Sequence, residues 1–248
     1  MGLLVRTLER HSSLSDADRE AILALPHRVR TLDGSTYLVR EGDAPTHCVL
    51  LMSGFAYRQK LTGDGARQII ALQIPGDVLD FQGLTLDTAD HSVQMLSHGE
   101  VAMIPRRQLT DLLRDHPDVA RAVMAYVLIE ASIFREWILN VGRRDARTRM
   151  AHLLCEFASR LRAAGLGDGA GYELPITQEQ LADALGLTPV HVNRTLKALE
   201  TDGLIERNKR FIRFASWEQM REVGDFTQRY LHLEQIRRAP VDPVSAGA

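Results

Sequence analysis

Val190, His191, Asn193, Arg194 and Lys197 lie close together in the run Thr188-Pro-Val-His-Val-Asn-Arg-Thr-Leu-Lys-Ala-Leu-Glu200. At helical spacing Val190, Asn193, Arg194 and Lys197 share one side, with His191 at its edge. Val192, Leu196 and Leu199 share the other side and point inward. The outward types are those that read DNA. A guanidinium can donate two bonds to guanine O6 and N7, so Arg194 is the leading candidate base reader. Asn193 or His191 can bond a base edge, and Val190 can touch a thymine methyl. Lys197 suits a phosphate.

Such a face needs a scaffold, and the residues before it supply one. Thr177 can cap a helix, with Gln180 three residues on completing a capping box. That helix buries Leu181 and Leu185, Ala182 lets a second helix cross closely, and Gly186 ends it. Thr188 caps the next helix, and Pro189 takes the first-turn position, where its missing N–H costs nothing. Two helices joined by a short glycine turn form the helix-turn-helix pattern. Downstream, Leu204–Arg207 and Phe211–Phe214 read as strands around an Asn208-Lys209 turn. This predicts a wing with Arg207, Lys209 and Arg210 at its tip, adding sequence-independent, salt-dependent affinity. Two capped helices alone could be an αα-hairpin in a core; the wing and the local basic charge favour the DNA reading.

Charge supports that placement. Among the 248 residues the formal net charge is only -2. Residues 143–221, however, hold 13 Lys/Arg against 10 Asp/Glu, while the remainder holds 17 against 22. Basic charge therefore concentrates where a phosphate-facing surface needs it. A hydrophobic fraction of 45% and a charged fraction of 25% fit a globular chain of two modest domains. No apolar run approaches the ~18 residues of a membrane span, and the N-terminus carries charge too early for a signal peptide. The expected setting is cytoplasmic, with no membrane partner.

Upstream the period is different. Ser15 and Asp18 offer caps for a helical lead-in over 1–28, with Ala21, Ile22 and Leu25 at helical spacing. Short strands are expected at Thr36–Arg40, His47–Leu51, Phe55–Lys60, Arg67–Ile74, His91–Ser97 and Glu100–Ile104, separated by glycine turns. Thr62-Gly-Asp-Gly-Ala66 is a hairpin signal. Many short strands suggest a sandwich or jelly roll. Residues 117–141 then read as one long apolar helix bearing Val119, Val123, Tyr126, Val127, Ile133, Phe134, Trp137 and Val141. Either a second copy covers this stripe, through Val123, Tyr126, Val127, Ile133 and Trp137, or the stripe packs on its own sheet. Asn140–Asp145 marks the break, with Gly142 as C-cap and hinge. A helix follows from about Ala146 to Ala163, with Met150, Leu153, Leu154, Phe157 and Leu161 on one side. Gly165–Gly171 reads as a flexible loop and the tail from Ala239 as disordered.

Other chemistry is weaker. His47, His91 and His98 on a jelly roll invite a cupin-like metal site, but they read better as scattered surface histidines. Cys48 and Cys155 form no CxxC pair and read as buried packing residues, as do Met95 and Met103. No Gly-x-Ser-x-Gly elbow marks a nucleophile. Catalytic residues, metal and cofactor are accordingly expected to be none. The competing reading is a small-molecule- or metal-binding cupin-like enzyme domain fused to a vestigial helix-turn-helix. Residues 78–96 can line a small-molecule pocket or be plain sheet surface.

This layout resembles the Crp/Fnr family of bacterial regulators over roughly residues 10–222. Its most specific parts are Ile176–Ile205, Leu50-Leu-Met-Ser-Gly-Phe55 and Pro75-Gly-Asp-Val-Leu79. The resemblance implies an α+β chain with a β-roll (jelly-roll, cyclic-nucleotide-binding-like) sensor over 1–115 and a dimerisation helix over 116–141. A winged helix-turn-helix over 142–222 and a C-terminal extension over 223–248 complete it. It further implies a homodimer on a palindromic DNA site, half-sites ~34 Å apart, and RNA polymerase as a partner. Three features depart from the family. Val190 stands where a Glu often precedes the reading Arg by one turn. Where cyclic AMP binders carry Gly-Glu-Leu and then an Arg, this chain has Asp80-Phe81-Gln82, with no Lys or Arg from Gln68 to Pro105. An anionic cyclic phosphate lacks its cation there, which speaks against cyclic AMP and leaves the effector unknown. The N-terminal cysteine cluster of oxygen-sensing relatives is also missing.

Overall fold

The computed structural model describes residues 1–10, 12–167 and 171–233. Helices α1 (Gly2–Glu9) and α2 (Asp16–Leu23) open the chain. Ser15 caps α2: its Oγ accepts from Asp18 N at 3.2 Å, and Asp18 Oδ2 accepts from Ser15 N at 3.0 Å.

Two antiparallel sheets follow. One has the order β1 (Arg28–Leu32), β7 (Gly99–Pro105), β3 (His47–Leu51). The other runs β2 (Tyr37–Val39), β6 (Ser92–Met95), β4 (Ala56–Leu61), β5 (Arg67–Gln73). Val49, Leu51, Ala56, Val93, Met95 and Val101 fill the space between them. Cys48 and Leu50, the alternate residues of β3, instead face the helices, so this strand is buried on both sides. The hairpin at Thr62–Ala66 forms as expected, joining β4 to β5. Gly54, in the signature Leu50–Phe55, has φ 75°, and a Cβ there would lie 2.5 Å from the His98 carbonyl oxygen. Strand β1 carries no expectation from the sequence. Of its residues only Leu32 is buried, so no alternating apolar signal exists to betray it.

Helix α3 (Arg106–Asp115) leads into α4 (Pro117–Arg143) and α5 (Ala146–Ala163). The expected break is real but narrower. Gly142 is helical rather than a cap, and the chain turns at Arg144, with Asp145 Oδ1 accepting from Thr148 N at 2.9 Å. The N-terminal half of α4 packs with α1, α2 and α3 against β3 and β7.

The five residues expected at a dimer seam differ in how far the single chain itself covers them. Val123 and Tyr126 sit in the core beneath the sensor helices, and Tyr126 Oη accepts from Val78 N at 3.2 Å. Trp137 belongs to the core of the C-terminal unit, where its Nε1 donates to Glu156 Oε1 at 2.9 Å. Ile133 is partly buried against that same core. Only Val127 of the five is exposed. Helix α4 is apolar on two sides. The sequence stripe follows the aromatic side that the chain itself covers, while Met124, Val127, Leu128, Ile138 and Leu139 are left outside.

The C-terminal unit contains α5, β8 (Tyr172–Glu173), α6 (Gln178–Leu185), α7 (Pro189–Thr201), β9 (Ile205–Asn208), β10 (Phe211–Phe214) and α8 (Trp217–Val223). Its core continues into Tyr57, Ile69, Leu72 and Ile74 of the sensor. Phe226, Tyr230 and Leu231 are buried in it as well. The tail from Ala239, and residues 168–170 of the expected glycine loop, lie outside the described residues.

Candidate nucleic-acid interface

The two helices are built as their sequence dictates. Thr177 Oγ1 accepts from Gln180 N at 3.1 Å and Gln180 Oε1 accepts from Thr177 N at 2.9 Å. Gly186 ends α6 in the left-handed region, φ 62°, where its N–H bonds the Ala182 carbonyl. Thr188 Oγ1 accepts from His191 N at 3.3 Å and starts α7.

Helix α7 divides cleanly. Val192, Thr195, Leu196 and Leu199 are buried. Val190 is 80% exposed, and Thr188, Pro189, Asn193, Arg194 and Lys197 are exposed beside it; His191 is half-buried. The expected reading face is thus brought together on one solvent-facing surface. Asn193 is not isolated on it: its Nδ2 donates to Gln178 Oε1 at 3.2 Å. Gln178 is not among the residues that the sequence marks as candidates. Its only local signal is its place as the first helical residue of α6.

The wing forms, one residue displaced. Asn208 pairs with Phe211, so Lys209 and Arg210 make the turn, and Lys209 takes φ 56°. Strand β8 joins as a third strand beside β10. Lys209 and Arg210 are exposed at the tip. Arg207 is not at the tip. It lies on β9 with its guanidinium 2.7 Å from Glu200 Oε2, so its charge is spent within the domain. That pairing is tertiary, and nothing in the local sequence announces it.

The unit is held to the sensor by polar contacts. Arg160 of α5 donates to the Leu72 carbonyl at 2.7 Å and to Asp77 Oδ2 at 2.7 Å. Asp77 Oδ2 also accepts from Ile74 N at 2.8 Å. On β5, Arg67 contacts Asp183 of α6 at 2.6 Å, and Gln68 Nε2 donates to the Ala184 carbonyl at 3.2 Å. The helix that supports α7 is therefore docked on the sensor sheet.

Between β4, β5 and α4 lies a cavity of about 470 Å³, walled by Ile69, Phe134 and Trp137 and edged by Lys60, Gln82, Asp90 and His91. His91 is buried, not a surface histidine as the sequence suggested. Its Nδ1 lies 2.7 Å from Asp90 Oδ1 and 2.8 Å from Gln82 Nε2, and its Nε2 has no partner. Burial, and then the Arg58 charge, push its pKa down. Lys60 is already bonded to Glu41 and to the Asp90 carbonyl. Burial raises the Asp80 carboxyl. Cys48 and Cys155 are buried, with thiol pKa values pushed up to about 12 by burial. Among the described residues no three His, Cys, Asp or Glu side chains are grouped to hold a metal ion, and no helix is long and apolar enough to cross a membrane.

Comparison with known proteins matches both halves. A Crp-like helix-turn-helix domain model matches residues 148–223, and a cyclic nucleotide-binding domain model matches residues 29–116. The nitrogen fixation regulation protein FixK of Bradyrhizobium diazoefficiens is 30% identical over 202 residues, 81% of this chain and 83% of its own length. The transcriptional activator protein FnrL of Cereibacter sphaeroides is 28% identical over 215 residues, 85% of this chain and 86% of its own. The structure of FixK2 from Bradyrhizobium japonicum superposes with a TM-score of 0.74 at 25% identity, covering 80% of this chain and 98% of that one.

Proposed function

The chain belongs to the Crp/Fnr family of DNA-binding transcription regulators, and from that premise we propose how it reads its site. One α7 enters the major groove of each half of an inverted repeat, with Arg194 as principal base reader. Val190, Asn193 and His191 sense neighbouring bases, while Lys197, Lys209 and Arg210 meet phosphate. Thr188 and Pro189 set the start of the helix against the DNA backbone. The observation that carries this reading is the division of α7 into a buried apolar side and an exposed Val190/Asn193/Arg194/Lys197 side.

The second copy docks along the outer side of α4. Met124, Leu128, Ala131, Arg135 and Ile138 recur at alternating intervals of four and three residues, the spacing of a two-helix seam. From Met124 to Ile138, about 21 Å of helix, such a seam buries what a lone chain leaves wet. The matching division is a sensor over 1–115, a dimer helix carried from 116 to Arg143, and a DNA-binding unit to 222. RNA polymerase is the further partner of such a regulator. At the sensor cavity Lys60 is already bonded to Glu41 and to the Asp90 carbonyl, which speaks against cyclic AMP as the effector.

The test is selection of genomic fragments by the purified protein, with affinity measured at two salt concentrations. Enrichment of one inverted repeat supports the reading. Weak, sequence-blind and steeply salt-dependent binding, with and without cell extract, contradicts it.

A further inference from the structure

Gln178 and Asn193 stand on different helices, and both side chains are exposed. Asn193 Nδ2 donates to Gln178 Oε1 at 3.2 Å. We infer that Gln178 is a positioning residue that sets the Asn193 amide to read adenine, an inference that rests on the DNA-reading role of α7 proposed above.

The reasoning is an inventory of donors and acceptors. A carboxamide has one acceptor oxygen and two N–H donors. An exposed Asn turns about its last torsion between two orientations of opposite pattern. In one it offers an acceptor beside a donor. In the other, with its oxygen spent on a neighbour, it offers donors only. Gln178 Oε1 takes one N–H of Asn193. The remaining N–H and Oδ1 form a donor–acceptor pair, which matches adenine N7 and N6–H2 in the major groove.

Position makes this useful. Gln178 begins α6, whose own start is fixed by the reciprocal Thr177–Gln180 bonds. The side chain that orients Asn193 is therefore carried on a pinned helix end. Asn193 follows Val190 by one turn and precedes Arg194 directly. The exposed face then offers a methyl, an adenine-matched amide and a guanine-matched fork side by side.

The experiment is selection from randomised DNA by the full-length protein and four variants, scored as base preference at each position among bound molecules. Asn193→Ala identifies the register: one position in each half-site loses its preference. Wild type is expected to hold adenine there. Gln178→Met, which removes the partner, should lower that adenine preference about tenfold and leave other positions unchanged. Gln178→Glu, an acceptor only, should retain adenine. Gln178→Lys, a donor only, should turn the amide over and move the preference toward bases with acceptor edges. A helix-start defect would weaken all positions alike and would not separate Glu from Lys. If all three Gln178 variants keep the wild-type profile at that position, or if wild type selects another base there, the inference is overturned while the DNA-reading role stands. If wild type enriches no repeat at all, the DNA-reading role fails and the inference falls with it.

Discussion

Arg160 and Asp77, 83 residues apart in sequence, meet at 2.7 Å across the boundary between the DNA-binding unit and the sensor. The same guanidinium bonds the Leu72 carbonyl, so one side chain grips both the strand end and the Pro75-Gly-Asp turn. Both side chains are largely buried, at 13% and 11% exposure. Removing Arg160 takes away the hydrogen-bonded partner of a largely buried carboxylate and leaves it to the more distant charges of Arg10 and Arg58. Arg160→Met should therefore cost about 3 kcal/mol of unfolding free energy, measured by urea titration. The Arg160→Met/Asp77→Leu pair should recover part of it. A single variant as stable as wild type would mean that the contact does not join the two units.

Arg194 and Lys209 should fail differently. Arg194→Ala removes a fork aimed at a base and should cost about 1–3 kcal/mol on the selected site, with preference at one base pair relaxed. Lys209→Ala, at the wing tip, should weaken all sequences alike and lower the salt slope by about one unit. Fluorescence anisotropy on matched and scrambled duplexes separates the two. Equal losses on both duplexes for Arg194→Ala would remove it as a reader.

The outer side of α4 should control association. Leu128 and Ile138 are 59% and 69% exposed in the single chain, so charging them leaves the fold intact. The Leu128→Glu/Ile138→Glu double variant should run as a monomer in sedimentation velocity, with an unchanged far-UV spectrum. A dimer that persists would place the interface elsewhere.

The sensor should lose stability as pH falls. His91 is buried with a depressed pKa, so the folded state resists a proton that the unfolded chain accepts. Its contribution is full above the unfolded imidazole value of about 6.5 and is lost as pH falls from there through the lower folded value. His91→Gln should flatten this part of the stability–pH curve relative to wild type. Parallel curves would show that His91 is not the titrating group.

Much of this was legible in the sequence because the signals are local. The Thr177 box, Gly186, Thr188 and Pro189 fix α6 and α7 within a few residues, and α5 spans Ala146–Ala163 as its periodicity indicates. What was missed depends on distant partners. Strand β1 pairs with β7 but buries only Leu32, so no alternation of buried apolar residues marks it. For Val123, Tyr126 and Trp137 the apolar stripe alone leaves open whether a second copy or the chain itself covers it, and the chain itself buries all three. Arg207 read as a free wing charge because Glu200 reaches it only after folding. The grip of Arg160 on Asp77 likewise has no local trace.

The most direct measurement concerns spacing. The enriched repeat is compared with the same repeat carrying five extra central base pairs, half a helical turn. Two α7 helices fixed by one dimer cannot then face both half-sites, so affinity should fall to about that of a single half-site, roughly hundredfold or more weaker. Equal affinity for the two duplexes would contradict reading by a rigid two-fold pair of recognition helices.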